Sequence, residues 1–140
     1  MLNPLMKQIQ PNRWSCLLTS FAIALGTKQK FLFDWIGHDG SEIIWPNEEE
    51  PRNRRSFHIQ ELIDYAWWRG FAVIGFEPYP RSSNGSGAVY PIDFKINNQE
   101  RLLKVMKTHR GVITGRTVDT NMPHAVAWNN QTGKVWNPNG

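Results

Sequence analysis

Ten consecutive residues, C-L-L-T-S-F-A-I-A-L from Cys16 to Leu25, carry no charge and leave almost no polar face when wound as a helix. Leu17, Leu18, Phe21, Ala22, Ile23, Ala24 and Leu25 point nearly all round such a helix, so it has to be covered from several sides. A helix of this kind belongs in the middle of a domain, with the rest of the chain arranged around it. Ser15 stands where an N-cap is expected and Gly26 where a helix stops. The chain of 140 residues is the size of a single domain, spanning 1–140.

The remaining segments predict what surrounds that helix. Thr27 to Ile36 reads as a second, shorter helix with Phe31, Leu32, Trp35 and Ile36 on one stripe. Ser56 to Arg69 is amphipathic, with Ile59, Leu62, Ile63, Ala66 and Trp67 on one face, and Gly70 ends it. F-A-V-I-G-F, Phe71 to Phe76, reads as a buried strand, and Ile43 to Trp45 as a short one. Y-P-R-S-S-N-G-S-G is an exposed turn or loop. A further helix opens with Asn97 and Glu100 in capping-box spacing and closes on Gly111. G-V-I-T-G follows as a strand. H-A-V-A-W, N-N-Q-T-G and K-V-W then form a β-hairpin with a polar loop. This order predicts an α+β fold, one buried helix packed against a mostly antiparallel sheet.

Charge and cysteine usage narrow the function. The net charge is +4, and the densest run, E-E-E-P-R-N-R-R from Glu48 to Arg55, mixes both signs in blocks. That pattern describes a solvated loop, and nucleic acid is not the expected partner. A single cysteine excludes an intramolecular disulfide. The first dozen residues hold no apolar run of signal-peptide length, and no later segment approaches the ~18 apolar residues of a membrane span. The expected location is cytoplasmic. The histidines are scattered away from the cysteine, so neither a metal nor a cofactor is expected.

The candidate chemistry begins with that cysteine. At the first turn of a helix, the Cys16 thiolate is favoured by unpaired N–H groups and the positive end of the helix dipole. His124 opens a strand expected to be buried, where an imidazole needs a partner. Asn137 ends the next strand of the hairpin, thirteen residues later, so hairpin geometry brings the two together. An amide oxygen at one ring nitrogen leaves the other facing away. Gln10, six positions before Cys16, carries an amide donor of the kind that an oxyanion hole uses beside a cysteine N–H, and taken alone it is equally an ordinary polar residue of the N-terminal segment. His109 reads as a helix-end residue, His58 as a first-turn residue and His38 as a loop residue.

The set Gln10, W-S-C-L-L-T-S-F-A-I-A-L-G and H-A-V-A-W-N-N-Q-T-G-K-V-W-N-P-N-G resembles the papain-like cysteine peptidases. The similarity is greatest to the small double-glycine leader peptidases and their stand-alone relatives, and E-L-I-D-Y-A-W-W-R-G-F-A-V-I looks like that family's middle region. The resemblance implies a papain-like fold with Cys16 as nucleophile and His124 as general base and acid. It makes Asn137 the residue that orients the imidazole, and Gln10 an oxyanion donor. Leu17 and Leu18 depart from the small residues usual after the cysteine, and Asn137 from the aspartate of the leader-peptidase branch; papain itself uses asparagine there.

The implied activity is hydrolysis of a peptide or isopeptide bond in a peptide or protein substrate through a Cys16 thioester. Two other classes fit parts of the pattern. One is a peptidoglycan amidase of the CHAP type, which also places cysteine before histidine, although Gln10 is not in its signature. The other is a non-catalytic binding module on the same fold.

Overall fold

The computed structural model describes residues 3–41, 56–76, 96 and 98–140. The elements among them are α1 (Cys16–Leu25), α2 (Gln29–Ile36), α3 (Ile59–Trp68), α4 (Asn98–Thr108), β1 (Gly111–Arg116), β2 (Pro123–Asn129) and β3 (Lys134–Trp136). The class is α+β. The three strands form one antiparallel sheet in the order β1-β2-β3.

α1 is the centre of the molecule. Seven of its residues, Leu18 to Ala24, are buried, and it packs on α2 and α3 on one side and on β1 and β2 on the other. The close approach to the sheet is possible because β2 turns Ala125 and Ala127 toward the helix, both almost fully buried. Leu18, Phe21 and Ala22 meet Leu32 of α2, Phe57, and Leu62 and Tyr65 of α3 in one apolar cluster. Each large aliphatic side chain buried there contributes about 1.5–3 kcal/mol. The other face of the sheet meets α4, where the Trp128 indole donates to the Met106 carbonyl across 2.7 Å.

Gly26 ends α1 with φ +63, and a Cβ at that position would lie 2.3 Å from the Pro4 carbonyl oxygen. The N-terminal segment runs past this point and is bound to the start of α2. Gln8 donates to the Thr27 carbonyl (2.7 Å) and accepts from the Gln29 N–H (2.7 Å), and the Gln29 amide donates to the Ile9 carbonyl (3.0 Å). These bonds fix where the chain stands when it reaches Gln10.

Several expectations are corrected. Phe71–Phe76 is not a strand: it pairs with none of the three described strands, and residues 72–75 are exposed. An apolar run reports that a segment can be buried, whereas a strand also needs a neighbour to receive its N–H groups. α3 begins at Ile59 rather than Ser56, because the His58 ring accepts from the Gln60 N–H and Glu61 returns a bond to the His58 N–H. α2 starts at Gln29, and of its expected stripe Leu32 is buried while Phe31 and Trp35 are exposed. α4 stops at Thr108, three residues before Gly111, which opens β1. Asn97, Ile43–Trp45 and the loop from Tyr79 to Gly87 lie outside the described residues. No helix among the described residues is long and apolar enough to cross a membrane.

Candidate active site

The last turn before α1 is built on Asn12. Its side-chain oxygen accepts from the Trp14 N–H (3.2 Å) and the Ser15 hydroxyl, and its carbonyl accepts from the Gln10 side-chain amide (2.7 Å). Ser15 occupies the N-cap position, but its hydroxyl is spent on Asn12 and makes no capping bond to the helix. The N–H groups that a capping side chain would satisfy are therefore left to other acceptors. The first residue they meet is Cys16.

The Cys16 thiol is half-buried. Burial pushes its pKa above the ordinary thiol value, and the backbone N–H groups of Ala125, Leu17 and Cys16 pull it down by less. The expectation that the helix terminus would dominate is corrected here. Three N–H groups do favour the thiolate, but the loss of water around the sulfur outweighs them.

Ala125 directly follows His124, so the sulfur stands against the backbone at the start of β2. The burial of Ala125, Ala127 and Asn129 alternates with the half-buried His124, Val126 and Trp128. The side chains of β2 thus alternate between a buried and a half-buried set, His124 belonging to the second. Among the described residues no hydrogen bond joins the Cys16 thiol to the His124 ring, whose Nε2 is engaged by Asn137.

His124 meets Asn137 as expected, though not as a directly opposed pair. The hairpin register pairs Ala127 with Trp136 and Trp128 with Val135. Carried one residue further, it sets Asn137 opposite Val126, which makes His124 a diagonal neighbour on the same face. The His124 Nε2 to Asn137 Oδ1 distance is 3.0 Å. The Asn139 N–H also points at Asn137 Oδ1, at 2.9 Å, and an N–H can only donate. This fixes the amide with its oxygen toward the ring, so Nε2 carries the donated proton, and in the neutral ring the lone pair is on Nδ1.

Gln10 closes the arrangement. Its main-chain N–H donates to the Pro138 carbonyl (2.8 Å), beside Asn137, while its side chain holds the turn that leads into Cys16. Gln10 Oε1 is buried without a hydrogen-bond partner among the described residues. The four candidate residues therefore lie on one closed path. It runs from Cys16 to Ala125 and His124, on to Asn137 and Pro138, across to Gln10, and back through Asn12 and Ser15.

Sequence reasoning missed two members of this path. Asn12 had a readable signal, since an asparagine three residues before a serine at a helix start favours a side-chain-closed turn. The Ala125 N–H had none, because a backbone donor becomes part of a site only through packing. The other histidines lie elsewhere: His38 bonds Glu61 (2.6 Å), His58 caps α3, and His109 is exposed beside Thr108. Among the described residues, no group of three His, Cys, Asp or Glu side chains is placed to hold a metal ion.

Comparison with protein-family models, with curated proteins and with solved structures gives no match to this chain.

Proposed function

We propose that this protein is a cysteine peptidase of the papain-like kind, cutting a peptide or isopeptide bond with Cys16 as nucleophile. The observation that carries the reading is the closed path linking Cys16, His124, Asn137 and Gln10 across both ends of the chain. Two local pairs, Gln10 with Cys16 through the Asn12 turn and His124 with Asn137 through the hairpin, are joined by contacts between opposite ends of the sequence.

In this mechanism the Cys16 proton passes to His124 Nδ1 as the sulfur attacks the amide carbonyl. The protonated ring then gives that proton to the leaving amine as the C–N bond breaks and the thioester forms. Water, deprotonated by the same nitrogen, hydrolyses the thioester and returns the thiol. Asn137 keeps the Nε2–H tautomer, so that Nδ1 is the basic atom throughout. The Cys16 N–H and the second N–H of the Gln10 amide serve the oxyanion. In this reading the base takes the thiol proton during the attack itself.

The burial of the Cys16 thiol, which raises its pKa, and the lack of a Cys16–His124 hydrogen bond among the described residues also favour a second reading, a binding module that keeps the fold without the chemistry. One experiment separates the two. The protein is incubated with a library of peptides and isopeptides, quenched in acid and examined by mass spectrometry for an acyl adduct on Cys16. The peptidase reading expects an adduct that turns over in the native protein and is absent in Cys16→Ala. No cleavage and no adduct with any member of the library favours the binding module.

A further inference from the structure

On the far side of the helical layer, a cleft of about 520 Å³ opens between α2 and α3, lined by Trp35, Asp64, Trp67 and Trp68. Trp67 is 76% and Trp68 62% exposed, an unusual outlay of apolar surface for two neighbouring residues on one helix. The indoles are not loose. Trp68 lies 5.7 Å from Trp35 and 5.9 Å from Tyr65, and Trp35 lies 5.6 Å from Tyr65, so two of the three lining rings are held by a buried tyrosine. Among the described residues Asp64 is the one ionisable lining group; it accepts from the Gln60 amide at 2.8 Å and joins no ion pair among them.

Indole rings carry negative quadrupole potential on their faces, and the carboxylate beside these three adds negative charge. The ligand that matches both is an organic cation with a flat or apolar body. The same aromatic cluster already attracts one guanidinium. Arg69 stands 6.0 Å from the Tyr65 ring centre and donates to its hydroxyl at 3.1 Å, outside the cleft lining. A sugar would need several directional polar groups, and the lining provides one. We infer that the Trp35–Asp64–Trp67–Trp68 cleft binds an arginine or lysine side chain of a partner polypeptide, stacking its body on the indoles and pairing its charge with Asp64. The inference does not depend on the peptidase reading.

The test is calorimetric titration of the full chain with a blocked tripeptide, acetyl-Gly-Arg-Gly-amide, and with its neutral citrulline counterpart. Chitotriose is the control for a sugar site. The expected result is saturable binding of the arginine peptide, at least fivefold tighter than the citrulline peptide. Trp67→Ala and Asp64→Asn should each raise Kd by about two- to fivefold, in the range of an exposed cation–π contact. Trp67 makes no ring contact with the cluster, and Asp64→Asn keeps the shape of the side chain, so the two variants do not both threaten folding. Equal binding of arginine and citrulline peptides, binding of the sugar alone, or no binding of the arginine peptide at millimolar concentration would each overturn the inference. So would a Kd unmoved by both folded variants.

Discussion

The main-chain N–H of Gln10 donates to the carbonyl of Pro138 across 2.8 Å, joining the segment before the central helix to the segment after the last strand. Neither residue is near the other in sequence, and Pro138 is fully buried. Through this bond the turn that delivers Cys16 and the turn that holds Asn137 become one piece of structure. Removing either turn should disturb both.

The Gln10 side chain can be tested apart from its backbone, because Gln10→Ala keeps the bond to Pro138. On the proposed mechanism, kcat should fall by about two to three orders of magnitude, the usual loss for one oxyanion donor. The same change deletes a buried unpaired oxygen, whose desolvation costs about 1–3 kcal/mol. It also deletes the Gln10 amide bond to the Asn12 carbonyl, worth about 0.5–1.5 kcal/mol, so the two effects offset and the melting temperature should move little. Full activity in Gln10→Ala would remove the residue from the mechanism.

Asn137 should act through the ring it bonds. Asn137→Ala removes the acceptor of the His124 Nε2–H and should lower activity by about two orders of magnitude, the low end of what a positioned general base contributes. Asn137→Asp keeps an acceptor for both His124 and the Asn139 N–H and should restore most of the rate. If Asp is as poor as Ala, the role of Asn137 is to shape the C-terminal turn and not to orient the imidazole.

The pH behaviour of the thiol follows from its burial. Cys16 titrates above the ordinary thiol range, so iodoacetamide labelling at pH 6.5 should be slow and should accelerate as the pH passes ~8.5–9 and beyond. The folded chain holds this proton more tightly than the unfolded one. The resulting stability is complete below the unfolded thiol pKa of about 8.5 and is lost as the pH rises through the folded value. Thermal melts from pH 7 to 10 should show that decline, and Cys16→Ala should remove it. Fast labelling at pH 6.5 would instead mean an ion pair with His124.

Gly26 and Gly37 both adopt left-handed backbone, with φ +63 and +86, but only Gly26 is crowded. Gly37→Ala meets no atom within 4 Å and should cost about 1–2 kcal/mol for the backbone conformation alone. Gly26→Ala adds a collision with the Pro4 carbonyl and Asn3, so its loss in chemical denaturation should be clearly larger. The displaced N-terminal segment leads to Gln10, so activity should fall with it. Equal losses at the two glycines would mean that the N-terminal segment yields freely.

What could be read from the chain alone was whatever local chemistry decides. The span of α1 matched from Cys16 to Leu25 because its apolar run and a left-handed Gly26 set both limits within eleven residues. The β2–β3 hairpin, and with it the meeting of His124 and Asn137, followed from a short polar turn and a two-residue period. Where a property depends on a distant surface, the reading failed or fell silent. Phe71–Phe76 has the composition of a strand and lacks a partner strand among the described residues, which no local pattern records. The sign of the Cys16 pKa shift turned on how much water the packing of α1 against β2 removes, and a helix start alone suggested the opposite. The closure of Gln10 onto Pro138 was likewise invisible. Local order is set by torsional preferences and short-range hydrogen bonds that a few residues carry with them, whereas burial and long-range pairing exist only once the chain has enclosed a core.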